Sequence, residues 1–99
     1  MALNEMTACA AAKAIREGSI TSEALVEACV ERISAREKTV HAWVDFDGDR
    51  ALAQAREADL VLARGEDCGL LHGVPVGLKD IIDTFDFPTQ SGSHLFSGR

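Results

Sequence analysis

The 99 residues set sixteen acidic side chains against ten basic ones, for a formal charge of −6, and 46% of them are hydrophobic. That apolar share marks a folded chain, and its length holds one modest core at most. The two charge signs alternate without a basic run, which argues against nucleic-acid binding, and no apolar stretch approaches the ~20 residues that cross a bilayer.

The amino terminus has neither a basic leader nor a continuous apolar segment, so a soluble cytoplasmic protein is expected. Cys9, Cys29 and Cys68 are odd in number and widely spaced, without a C-x-x-C pair. They read as buried free thiols rather than as a disulfide framework or a zinc site.

In chain order, the alanine-rich run Thr7 to Glu17 predicts a first helix with Ile15 on its apolar face and Gly18 at its end. Thr21 or Ser22 offers an N-cap for a second helix, in which Leu25, Val26, Cys29, Val30 and Ile33 repeat at three and four residues. Val40 to Phe46 is rich in β-branched and aromatic residues and predicts a short strand ending in the turn Asp47-Gly48-Asp49. Asp49 then caps a third helix running to about Arg64, with Leu52, Ala55 and Leu62 inward and Gly65 closing it.

After Cys68 the chain becomes apolar and glycine-dotted, predicting a loop that leads into a buried strand, Val74 to Lys79. Thr84 to Ser93 is rich in turn residues and is expected to be irregular. The chain thus divides into residues 1–66, mainly helical with one short strand, and residues 67–99, a lysine-bearing strand and loop.

Alternation along that strand puts Val74, Val76 and Leu78 on one face and Pro75, Gly77 and Lys79 on the other, with Asp80 opposite the lysine. Gly77 leaves room for a side chain or ligand to approach Lys79. A lysine at the end of a buried strand is costly unless paired or neutral, and neutral lysine accepts protons. The bland alternative is a surface lysine snorkelling from an edge strand.

The run Gly73-Val74-Pro75-Val76-Gly77-Leu78-Lys79-Asp80-Ile81-Ile82-Asp83-Thr84, followed by Pro88-Thr89-Gln90-Ser91-Gly92-Ser93, resembles the amino-terminal part of the amidase signature family. The order of helices and the His41-Ala42-Trp43-Val44 strand extend that resemblance over nearly the whole chain. It implies an α/β fold, with a mixed, mostly parallel sheet flanked by helices, of which this chain holds an incomplete portion. It also implies a Ser-cisSer-Lys acyl-enzyme mechanism that hydrolyses carbon-nitrogen bonds of non-peptide amides without a metal or cofactor. Lys79 matches the family's base.

Gly77, Asp80, Thr89, Gly92 and Ser93 match structural positions near the site, and Ser91 and Ser93 are not the family's nucleophile. The family's two serines come from a downstream glycine- and serine-rich segment that nothing in these residues matches. The expected partners are therefore a small-molecule amide substrate and either the remainder of an amidase domain or a second copy.

Two alternatives stand beside that expectation. The chain could be an inactive or truncated amidase-like segment serving as a small interaction module. It could also belong to the amide-hydrolysing component of a transfer-RNA amidotransferase, although Lys-Asp is often followed there by Asn where this chain has Ile81. Other constellations fail on spacing. His72, Asp80 and Ser91 or Ser93 lack a nucleophile-elbow motif, and Asp80 occupies the Ser/Thr position of a phosphate loop. Asp45, Asp47 and Asp49 put their glycine too early for a calcium loop, and His41, His72 and His94 are too far apart for a local metal pair.

Overall fold

The computed structural model describes residues 2–43, 46–66 and 68–78. A 3₁₀ turn, Leu3–Glu5, precedes three helices: α1 (Ala8–Glu17), α2 (Ser22–Val40) and α3 (Gly48–Ala63). α2 is the central element, packing against α3 and against the amino-terminal turn. Ala11, Ile15 and Leu25 form the centre of the core, with Leu3, Met6, Ile20, Cys29, Leu62 and Val74 packed around them.

The helix ends follow local chemistry. The Thr7 hydroxyl accepts the Ala10 N–H at 3.1 Å. Gly18, in the left-handed region at φ +78°, closes α1, with the Ser19 N–H reaching back to the Ala14 carbonyl and the Gly18 N–H to that of Ile15. Asp47, rather than Asp49, caps α3: its carboxylate accepts the Arg50 N–H at 3.0 Å, and Asp49 falls in the first turn. There its charge suits the positive end of the helix. The acidic turn that faintly suggested a calcium loop is thus occupied with starting a helix.

The amino terminus of α2 is capped twice. Thr21 Oγ1 accepts the Ala24 N–H at 3.0 Å, while Asp59, from the middle of α3, accepts the Ser22 N–H at 2.7 Å and the Glu23 N–H at 3.0 Å. Three of the four N–H groups that a helix start leaves without intrahelical partners are thereby satisfied by side chains. A carboxylate there also faces the positive end of the helix dipole. Arg56, one turn before Asp59, donates its Nε–H to Glu23, so α3 grips the start of α2 at two points.

Ser22 is 1% exposed, and its hydroxyl donates to the Gly73 carbonyl at 2.6 Å. Gly73 has φ +83°, and a β-carbon there would come within 3.1 Å of Ser22 Cβ and 3.4 Å of Ile15 Cδ1. Two further bonds hold the same loop. His72 Nε2–H donates to the Ala58 carbonyl at 2.8 Å, and Arg16 Nη1 donates to the Leu70 carbonyl at 3.1 Å. The segment after α3 is therefore fastened to all three helices before Val74 inserts into the core.

Both expected strands are corrected among the described residues, where no strand occurs. Val40 is the last residue of α2, and His41, at φ 53°, is its left-handed cap. The helix extends through Ala35-Arg36-Glu37-Lys38 because those residues favour helix and satisfy their backbone locally, whereas a strand needs a neighbouring chain to bond. Among the described residues, 74–78 likewise have no partner strand, and Val74 alone of their apolar side chains joins the core. Val76 is 74% exposed and Leu78 56%. The α/β expectation is met here in its helices alone.

The thiols also differ from expectation: Cys9 is exposed, while Cys29 and Cys68 are half-buried. Burial pushes the Cys29 thiol above its ordinary value of 9.0.

Four outcomes follow from this packing. Asp59→Ala leaves the buried Ser22 N–H without an acceptor and should cost about 2 kcal/mol in urea unfolding. Gly65→Ala meets no neighbouring atom and only the cost of its φ of +73°, whereas Gly73→Ala adds a clash with Ser22. The expected losses are about 1 kcal/mol at Gly65 and about 2 to 3 kcal/mol at Gly73, read by the same denaturation. Cys9 should alkylate at pH 8 about tenfold faster than Cys29, by peptide mass mapping. Because folded Cys29 holds its proton more tightly than the unfolded chain does, its contribution to stability is intact below pH 9.0 and is lost as pH rises beyond that value. Urea midpoints between pH 7 and 10 should fall more steeply for the native chain than for Cys29→Ala.

Candidate functional site

The lysine-bearing stretch leaves the helical platform at Gly73. Its first anchor is the Ser22 hydroxyl, and its second lies four residues on, at Gly77. Gly77 is not among the glycines with positive φ, which among the described residues are Gly18, Gly65 and Gly73. Its backbone conformation therefore tolerates other residues, and it is glycine for a spatial reason. A β-carbon at Gly77 would lie 3.0 Å from Trp43 Cη2 and 3.7 Å from Cζ3. The space that Gly77 leaves is taken up by the Trp43 indole.

Trp43 is held from the end of α2. The Glu37 carboxylate turns back over the helix terminus and accepts the Ala42 N–H at 2.6 Å and the Trp43 N–H at 2.8 Å. This fixes the chain just after the left-handed His41, whose own N–H bonds the Glu37 carbonyl. The indole packs at 51° against the Phe46 ring, with centroids 5.5 Å apart, in the tilted geometry that aromatic pairs favour. The outer edge of the indole meets Gly77, and the residue as a whole is 38% exposed.

A shallow groove of about 260 Å³ runs along the end of α2 beside the indole, lined by Arg32, Ile33, Arg36, Glu37, Val40 and Trp43 among others. It is open and partly charged, unlike the dry enclosure a neutral lysine requires.

Of the residues singled out in the sequence, Gly77 is placed as described. Lys79, Asp80, Thr89, Ser91, Gly92 and Ser93 lie outside the described residues. His72, considered for a catalytic triad, donates to a helix carbonyl and serves to hold the loop. Ser22, Asp59 and Trp43 organise the contacts at Gly73 and Gly77 but carry no functional signal in the sequence. Ser22 is visible there only as a possible cap. Asp59 is one charge among several on α3, and Trp43 falls in a stretch with the composition of a strand.

The chain matches the amidase family over residues 24–99. It is similar to the glutamyl-tRNA(Gln) amidotransferase protein of Chloroflexus aurantiacus that bears the subunit letter A, at 42% identity over 96 residues, covering 97% of this chain and 20% of that protein. The protein of the same name from Streptomyces coelicolor is 43% identical over 94 residues, covering 95% and 19%. In Koribacter versatilis the corresponding figures are 37% over 95 residues, 96% and 20%. The chain thus spans about a fifth of the length of these curated relatives. No solved structure matches it. With the family match running through the Gly77-Leu78-Lys79-Asp80 motif and over more than half of its residues, the chain belongs to the amidase family.

Proposed function

We propose that these residues act within an amide-cleaving enzyme and supply its general base, Lys79. The observation that carries this reading is the family match across the lysine motif. It is supported by a platform on which the chain entering the motif is fastened at Gly73 and abutted at Gly77. In the complete α/β fold, residues 74–79 would gain strand neighbours, cover Val76 and Leu78, and dry the surroundings of the lysine.

Lowering a lysine from about 10.4 to near 7 or 8 takes roughly 3 units, or about 4 kcal/mol of differential solvation. The neutral amine then takes a proton, through a bridging serine, from a nucleophilic serine. That serine attacks the amide carbonyl, backbone N–H groups hold the oxyanion, and the amine leaves with a returned proton. Water cleaves the acyl-enzyme in a second round. Both serines are expected outside these residues.

A narrower reading is favoured by the names of the relatives: the amide-cleaving component of a glutamyl-tRNA(Gln) amidotransferase, in which the nitrogen of the cleaved amide is passed on. Ile81 departs from the Asn often found after Lys-Asp in such proteins. The acidity of this segment also suits a role in amide cleavage rather than in contact with the tRNA backbone.

The test is to sequence the gene beyond the Arg99 codon, measure the native mass, and assay the native protein on simple amides and in amidation of glutamyl-tRNA(Gln). Lys79→Ala should reduce turnover by about 10³-fold or more with unchanged circular dichroism. A Lys79→Ala protein retaining a tenth of the activity would remove the lysine from the mechanism. Activity in only one of the two assays separates a stand-alone amide hydrolase from an amidotransferase component.

A further inference from the structure

We infer that the groove at the end of α2 is a docking site for an acidic, apolar peptide segment of a partner protein, held by Arg32 and Arg36. The inference is independent of the reading of Lys79. The groove, of about 260 Å³, is lined by the apolar side chains of Ile33, Val40 and Trp43 and by the two arginines, both exposed. Glu37 also lines it, but its two carboxylate oxygens already accept the N–H groups of Ala42 and Trp43. With that carboxylate counted, the groove still carries net positive charge on a chain whose formal charge is −6.

The arginines stand apart from the other cations of the molecule. Arg56 pairs with Glu23, Arg64 with Glu57 and Glu66, and Lys13 with Glu17. Among the described residues, no acid pairs with Arg32 or Arg36. The helical repeat explains why. The positions three and four residues from Arg32 hold Ala28, Cys29, Ala35 and Arg36, and those around Arg36 hold Arg32, Ile33, Thr39 and Val40. No acid shares their face, and like charges one turn apart weaken a helix. The negative end of the helix dipole favours cations in its last turn, but the basic residue there is Lys38, and both arginines lie farther back.

The spacing and the screening length set the chemistry of the occupant. The two arginine backbones are one turn, or about 6 Å, apart along the helix, so two carboxylates of one short segment reach both guanidinium groups. An apolar side chain of the same segment then covers Ile33, Val40 and Trp43. At ~0.1 M salt, charges are screened beyond about 10 Å, so a short acidic segment responds to the groove and not to the acidic remainder of the chain. An extended polyanion such as a nucleic acid would bring further phosphates against that remainder, which favours the peptide.

The test uses the native protein as its own gene expresses it and a fluorescently labelled peptide of repeated Glu-Glu-Leu, with binding read by anisotropy. The peptide should bind, and raising salt from about 50 to about 200 mM should weaken binding about threefold or more. Reversing both charges, Arg32→Glu with Arg36→Glu, should weaken it about tenfold or more and confer binding of a repeated Lys-Lys-Leu peptide that the native protein does not take up. Val40→Ser should cost about threefold with the arginines intact, since it removes apolar contact and no charge. Thermal unfolding accompanies each variant. If the charge-reversed protein does not fold, Arg32→Gln and Arg36→Gln decide the matter, each with an expected loss of about threefold. No binding by the native protein at about millimolar peptide would mean that its own chain covers the groove, and would overturn the inference. Binding unchanged by the arginine substitutions, or an oligouridylate held by the same arginines more tightly than the peptide, would overturn it as well.

Discussion

The structure depends on one buried junction, where the start of α2 meets α3 and the returning chain. Ser22 gives its N–H to Asp59 at 2.7 Å and its hydroxyl to Gly73 at 2.6 Å. The junction solves two problems together. A helix start needs acceptors for its free N–H groups, and a loop crossing the core needs a donor for its carbonyl. Satisfying both with one residue means that the order of α2 and the path of the lysine-bearing segment are not independent.

Around that junction the apolar core is slight. Its best-buried members among the described residues include three alanines, Ala11, Ala12 and Ala55, together with Ile15, Leu25 and Val26. Alanine removes little apolar surface from water, so directed polar contacts carry more of the specificity here than they would in a leucine-rich bundle. This explains why the loop from Leu70 to Gly73 is tied by Arg16, His72 and Ser22 to three separate helices. Apolar side chains farther along, Val76 and Leu78, remain in solvent.

The helices are legible in the sequence because their signals are local. Thr7, Gly18, Thr21 and Gly65 mark ends through chemistry within a few residues of themselves, and the spacing of Leu25, Val26 and Cys29 marks a buried face. The difference at Asp49 is a shift of two positions between chemically identical caps. The strands fail for another reason. β-branched and aromatic residues at 40–46 suit a pleated surface, yet a strand exists only when a neighbour bonds it, and that neighbour is not a property of the segment. At the site, the motif itself is readable from Gly77 to Asp80. Its supports, Asp59 and Trp43, are not, because their partners lie 37 and 36 residues back in the chain and 34 residues ahead, and no local pattern records such distances.

Trp43 has an optical consequence as well. It is the only tryptophan among the 99 residues, and the chain contains no tyrosine. The intrinsic ultraviolet emission of this segment therefore comes from a single part-exposed ring whose outer edge meets Gly77. Its colour and quenching register whether Gly77 is seated against it. The turn after α2 thus carries its own fluorophore, which reports whether Gly77 lies beside it.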